Sequence, residues 1–218
     1  MTPWLTLQLA DSALPAGGFA HSGGLEAAVQ LGRCRGAAGL AAFVEEALWH
    51  AGALALPFVA AAARAPDRLA ALDARCDAAT PGAVANRASR AQGRALLRAA
   101  RGLHPAAAAL EDQLRRDGLA GHLAPAWGAL LGRLGAAEDE ACRLHLFVAA
   151  RGIVSAGVRL GLAGPLEAQA LLVRAGAAAD AVLAACAARA PEDAAAASPL
   201  LELLQSHQDR LYSRLFQS

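Results

Sequence analysis

The 218-residue sequence contains no lysine: all 20 basic residues are arginine, set against 19 acids for a formal net charge of +1. Without a flexible ammonium there is no Walker-type nucleotide site, no Schiff-base lysine and no kinase-type ATP lysine. The near-balance of charge provides no global pull toward nucleic acid or an acidic membrane. β-Branched residues are scarce as well: 9 Val, 1 Ile and 3 Thr cannot furnish the buried strands of a sizeable sheet. No CxxC pair occurs, and Cys34, Cys76, Cys142 and Cys186 stand alone, which suits reduced, buried thiols. The start, Met1-Thr2-Pro3-Trp4, has no basic leader region, so a cytoplasmic location is expected.

What is abundant points one way. The chain has 62 Ala and 36 Leu, 98 of its 218 residues, and these types lose least on entering a helix. The expected fold is all-α, a single compact bundle of roughly eight to ten helices. The apolar run from Ala47 to Ala63 contains His50 and Pro57 and is read as buried helix, not as a membrane span. Helices are expected over Trp4–Ala10, from Ser22 through Val29, and along Leu40, Phe43, Val44 and Leu48, with a kink or restart at Pro57. Asp67 opens another. Thr80 as cap and Pro81 as first residue predict a helix to about Ala100, followed by Ala106–Arg116, Trp127–Leu134, Ala137–Leu160 and Leu166–Arg189. The organisation is read as a body over 1–190, a weakly ordered linker over 191–199 and an apolar docking segment over 200–218. That last segment concentrates Leu200, Leu201, Leu203, Leu204, Leu211, Tyr212, Leu215 and Phe216. Left in water, each large side chain forfeits roughly 1.5–3 kcal/mol, so the cluster must dock on its own domain or on another chain. The weak linker favours another chain.

Candidate chemistry is sparse. The six histidines (21, 50, 104, 122, 145 and 207) include no two placed three or four apart, and neither HExxH nor the ExxH repeat of di-iron bundles occurs. No metal site, cofactor or catalytic residue is expected. Glu46 and His50 are read as a salt-bridge or core-rim pair. The segment Asp11-Ser12-Ala13-Leu14-Pro15-Ala16-Gly17-Gly18-Phe19-Ala20-His21-Ser22 holds an acid, two hydroxyls and an imidazole. A helical hydrolase or metal-dependent enzyme built on Asp11, His21 and Ser22 is one alternative. The preferred reading is a rigid turn in which Asp11 and Ser12 satisfy backbone donors and His21 and Ser22 hold a neighbouring helix.

Arg87, Arg90, Arg94, Arg98 and Arg101 step by 3, 4, 4 and 3, which on a helix confines them to an arc of about 80°. Ala88, Ala95, Leu96, Ala99 and Leu103 fall opposite. Such a ridge suits bidentate pairing with carboxylates, on a partner or within the fold. A helical nucleic-acid binder is a further alternative, disfavoured by the lack of interleaved aromatics. Arg151, between Phe147/Val148 and Val154/Val158, is either paired inside the bundle or part of a protein interface.

The sequence resembles the UreF family of urease accessory proteins. The resemblance is carried by Leu9-Ala10-Asp11-Ser12-Ala13-Leu14-Pro15-Ala16-Gly17-Gly18-Phe19-Ala20-His21-Ser22-Gly23-Gly24-Leu25-Glu26, which follows the family pattern D-S-x-x-P-x-G-x-F-x-H-S-x-G-L-E. Further similar blocks are Arg87–Leu97, His122–Gly128, Ser155–Gly161 continuing to Gly164–Gln169, and the ending Leu211-Tyr212-Ser213-Arg214-Leu215-Phe216. Where many relatives have R-H-E before that ending, this chain has His207-Gln208-Asp209. The resemblance implies a helical, dimeric, non-catalytic protein that joins the UreD/UreH protein and the GTPase UreG to deliver nickel to apo-urease. It implies that Tyr212, Ser213, Arg214, Leu215 and Phe216 help dock UreD/UreH, with the block from Asp11 to Glu26, including Ser12, Pro15, Phe19, His21 and Ser22, near the same surface. Ser89, Gln92 and Gly93 are expected to serve packing or the partner-facing surface.

Overall fold

The computed structural model describes residues 2–218. Eleven α-helices carry the chain, and no strand occurs among the described residues: α1 (Pro3–Ala10), α2 (Leu25–Gln30), α3 (Gly36–Leu54), α4 (Leu56–Arg64), α5 (Leu69–Ala79), α6 (Ala83–Ala100), α7 (Pro105–Arg116), α8 (Leu123–Arg133), α9 (Glu138–Arg159), α10 (Pro165–Cys186) and α11 (Pro199–His207). The all-α expectation holds. The count exceeds eight to ten partly because the long apolar stretch is two helices, bent by 46° at Ala55. Pro57 sits in the first turn of α4, where its missing N–H leaves no intrahelical bond unmade.

At the centre lies α4, with every residue from Leu56 to Ala63 buried among α3, α8 and α9. Small side chains set how close these helices come. A Cβ on Gly128 of α8 would fall 2.2 Å from the Val59 carbonyl oxygen, and one on Gly132 would fall 2.2 Å from that of Ala63. Trp127, on the same helix, donates its indole N–H to the Ala141 carbonyl at 3.1 Å.

Two expected boundaries are corrected. Thr80 does not cap the following helix: its hydroxyl donates back to the Cys76 carbonyl at 2.9 Å and closes α5, and α6 starts at Ala83 after Gly82. The eighth helix begins at Leu123, four residues before Trp127, because Pro125 falls in a first turn that needs no donor from it. Leu103, expected on the apolar face of the arginine helix, lies past its end and is exposed; the buried face is Val84, Ala88, Gly93, Leu96, Leu97 and Ala100.

The 191–199 segment is tied down at several points. Arg75 donates to the Pro191 carbonyl and pairs with Glu192, Ala195 N–H donates to the Ala53 carbonyl, and buried Ser198 bonds Glu46 and caps α11. By length and composition α9 and α10 could each cross a membrane, but both pack within this bundle, with Arg143 of α9 paired to Asp180 of α10.

Candidate partner-docking surface

Residues 200–218 divide between their own body and solvent. Leu201, Leu204 and Phe216 are buried, and α11 packs on α2, α3 and α6. Leu203 and Leu215 are exposed, and Tyr212 is fully so. The expectation that the apolar ending docks on another chain is therefore corrected in part: its anchors dock at home, while Leu200, Leu203 and the run Tyr212, Ser213, Arg214 and Leu215 face outward.

The anchoring is polar and specific. Gln217 N–H donates to the Ala20 carbonyl at 2.8 Å, and Ser22 N–H donates to that of Ser218 at 2.5 Å. The Ser22 hydroxyl also donates to the Ser218 carbonyl, at 2.9 Å, and His21 Nδ1 lies 2.7 Å from Ser218 Oγ. Burial pushes the His21 pKa down, which favours the neutral ring. Gln30 donates its side-chain amide to the Ser213 carbonyl at 2.8 Å. Thus the block from Asp11 to Glu26 and the terminal block, some 190 residues apart, form one surface.

A third block joins them. The Arg159 guanidinium lies between the rings of Phe19, 3.7 Å from its carbon to the ring centroid, and Phe216, at 4.0 Å, and donates to the Phe19 carbonyl at 2.6 Å. The stack uses the π faces to replace water around a partly buried cation. Burial pulls the Arg159 pKa down, opposed by the charge of Glu26. Sequence reasoning missed Arg159. Its only local signal is a cation at the last residue of an apolar helix, and its partners come from both ends of the chain.

The hydrolase arrangement does not assemble. Asp11 accepts from Ala13 N–H at 2.9 Å as a local turn, Ser12 and Pro15 are exposed, and His21 and Ser22 are committed to Ser218. Among the described residues no group of three or more His, Cys, Asp or Glu is placed to hold a metal ion.

The arginine ridge is paired at its ends and open in its middle. Arg87 binds both oxygens of Asp209 (2.9 and 2.8 Å), and Asp209 also accepts from Arg214 at 3.3 Å. Arg101 reaches Glu111 and Asp112 at 3.0 and 2.6 Å. Arg94 donates only to the Leu119 carbonyl, at 3.4 Å, and Arg90 and Arg98 have no carboxylate partner among the described residues. Arg87, Arg90 and Arg94 line a shallow concavity of about 520 Å³ with Pro81 and Asn86. On the same helix, Ser89 and Gly93 serve packing. Ser89 accepts from Leu123 N–H and bonds His122 Nδ1, His122 Nε2 bonds Asp77, and a Cβ on Gly93 would fall 2.3 Å from the Gly121 carbonyl oxygen. The bonds from Asn86 and His122 hold the Asp77 carboxyl below its ordinary range.

Arg151 is half-buried, 5.9 Å from the exposed Phe147 ring, and its pKa is lowered by burial with Asp11 opposing. It is part of a surface and not a core ion pair.

Fold and site together define a helical protein without an assembled reaction centre among the described residues, whose recurrent blocks build an outward-facing surface. The UreF family model matches residues 34–176. Urease accessory protein F of Oryza sativa subsp. indica is 38% identical over 220 residues, covering 98% of this chain and 84% of that one. The protein of that name in Arabidopsis thaliana is 36% identical, covering 98% and 91%, and UreF of Mycobacterium sp. (strain JLS) is 36% identical, covering 94% and 93%. The chain belongs to the UreF family of urease accessory proteins, and its general role is that of a chaperone in urease maturation.

Proposed function

We propose that this chain is the cytoplasmic adaptor that joins the UreD/UreH protein to the GTPase UreG for GTP-dependent nickel insertion into apo-urease, acting as a homodimer. The GTPase supplies the phosphate-binding lysine that this lysine-free sequence lacks, and nickel is cargo of the assembly. The observation that carries the reading is the convergence of Phe19, Arg159 and Phe216, which joins the exposed Phe19 to the terminal block in which Tyr212 and Leu215 are exposed. The terminal block exposes the apolar Tyr212 and Leu215 together with Arg210 and Arg214, a mixture found in protein-binding patches. It is assigned to UreD/UreH, and the open cations Arg90, Arg94 and Arg98 to an acidic face of UreG.

Removing residues 211–218 tests the first assignment. The shortened chain is expected to keep its helical circular dichroism and lose capture of UreD/UreH in co-purification. Undiminished capture refutes the assignment.

A further inference from the structure

Arg90 has donors without acceptors. It is half-buried on α6, and a guanidinium carries five N–H donors and no acceptor. Its neighbours on the ridge are accounted for differently. Arg87 is held by both oxygens of Asp209, and Arg94 reaches the Leu119 carbonyl at 3.4 Å, whereas Arg90 makes no hydrogen bond among the described residues. Asp77 feels the charge of Arg90, but its carboxylate bonds the Asn86 amide and His122 instead. No acidic residue follows in the sequence until Glu111.

Arg90 lines the concavity of about 520 Å³ together with Arg87, Arg94 and Asn86, and no acid lines it. Pro81, Ala83 and Ala91 contribute short side chains that leave the space open. Two of these, Pro81 and Ala83, place the concavity at the start of α6. That end of the helix has no capping side chain and no acid in its first turn, because Thr80 is spent on the Cys76 carbonyl. The first N–H groups of a helix lack intrahelical acceptors, and the dipole there favours negative charge. Guanidinium and helix thus add their positive potential in one place.

We propose that this concavity binds a diphosphate group, free or carried on a small organic molecule, between the Arg90 and Arg94 guanidiniums. Asp209 shows how far a carboxylate goes: it spends both oxygens on Arg87 alone. Arg90 and Arg94 stand one turn apart, which places side chains about 5–6 Å from each other at their Cβ atoms. Two phosphoryl groups bridged by one oxygen offer each fork its own acceptor oxygens and carry more charge than a carboxylate. The volume lies in the range of small-molecule sites. This inference goes beyond the adaptor reading and does not depend on it. Because the same cations meet an acidic face of UreG in that reading, a bound diphosphate has to leave before that face docks.

Calorimetric titration of the full chain with inorganic pyrophosphate tests the proposal, with orthophosphate and adenosine diphosphate as parallel ligands. Pyrophosphate is expected to bind about tenfold or more tighter than orthophosphate, which can engage only one fork. Arg90→Gln and Arg94→Gln break no ion pair, and each is expected to weaken pyrophosphate about tenfold. Arg98→Gln removes the same charge outside the concavity and should stay within about twofold of the parent. Tighter binding of adenosine diphosphate than of pyrophosphate assigns the site to a nucleotide, and equal or weaker binding assigns it to the inorganic ion; both support the proposal. No binding of pyrophosphate by the parent chain, equal affinity for orthophosphate, or an equal loss on Arg98→Gln overturns it. Phosphorus NMR of pyrophosphate with the parent chain needs no variant, and a line left unbroadened at equimolar protein overturns the proposal even if a variant fails to fold. These titrations use this chain alone, so their failure leaves the assignment of the arginines to UreG standing, and co-purification tests that assignment separately.

Discussion

Alanine at Gly128 or Gly132 of α8 should destabilise the protein, although alanine is the better helix former. The new Cβ at position 128 would lie 2.2 Å from the Val59 carbonyl oxygen and 2.9 Å from the Ala62 Cβ. At position 132 it would lie 2.2 Å from the Ala63 carbonyl oxygen and 2.9 Å from the Ala63 Cα. Apart from the Ala62 Cβ these are backbone atoms of the central helix, and α4 is buried from Leu56 to Ala63, so it cannot swing aside into solvent. Relieving the clash requires α8 to retreat from α4 by about 1 Å, which opens gaps in a close-packed interior and costs about 1–3 kcal/mol. Helix propensity returns about 1 kcal/mol, so the larger part of that range survives as net loss. For a chain of this length 1 kcal/mol moves the melting temperature by about 2–4 °C, and each variant is expected to melt up to about 8 °C below the parent. Gly152 in α9 and Gly176 in α10 are the internal controls. A Cβ at either meets nothing within 4 Å, so alanine there should raise the midpoint by a degree or two. Thermal unfolding followed at 222 nm on the four single variants decides it. Equal or higher midpoints for Gly128→Ala and Gly132→Ala would refute the claim that close backbone approach, and not tolerance of a weak helix former, places glycine in α8.

Acid should weaken the fold through its buried imidazoles. Burial pushes the His145 pKa down to about 4 from 6.5. Between these values the unfolded chain binds more protons, so stability is complete above 6.5 and falls as pH drops toward 4, by up to about 3 kcal/mol. His21 and His50 are shifted in the same direction. Urea unfolding at pH 7.0 and 4.5 measures the loss; a His145→Gln variant with an unaltered pH dependence would remove this residue from the account. Reversal of Arg90, Arg94 and Arg98 together to Glu should leave the melt within a few degrees of the parent, because no carboxylate pair is broken. The same variant should abolish co-purification with UreG. Loss of folding together with binding would show that the open cations serve the body.

Helices were legible where their signal was local. The helical spacing of Leu144, Phe147, Val148, Val154 and Val158 in α9, the Pro at the head of α7 and the Pro-induced restart at α4 depend on residues a few positions apart, and the structure follows them closely. Thr80-Pro81 misled because a threonine hydroxyl can serve either the helix ahead or the one behind, and only the packing of Cys76 and Asp77 decides. The ridge was legible as a stripe but not as paired ends and an open middle, since Asp209 lies 122 residues from Arg87. Arg159 and Glu26 carry the site, and neither could be assigned its partners from spacing. For Glu26 a trace existed: a lone acid within Leu25-Glu26-Ala27-Ala28-Val29 sits where an apolar residue belongs.

The division of labour between apolar and polar residues follows from this composition. Ala and Leu surfaces attract without direction, and an alanine-rich interface can slide by a turn at little loss in buried area. What fixes registers here is a small set of buried polar groups with directed partners. Asp73, 1% exposed, accepts from Gly121 and His122 N–H groups and pins the start of α8 to α5. The chain Leu123 N–H, Ser89, His122, Asp77 ties α6 to the same point, with His122 Nδ1 3.1 Å from the Ser89 hydroxyl and Nε2 2.9 Å from the Asp77 carboxylate. Glu26, 3% exposed, accepts from the Leu215 and Phe216 N–H groups and does for the terminal loop what Asp73 does for α8. In both cases a carboxylate takes backbone N–H groups that no helix or strand would otherwise satisfy, and an irregular segment acquires one conformation. Burial of Phe216 alone would anchor the terminal segment without orienting it, and the Glu26 carboxylate supplies the direction.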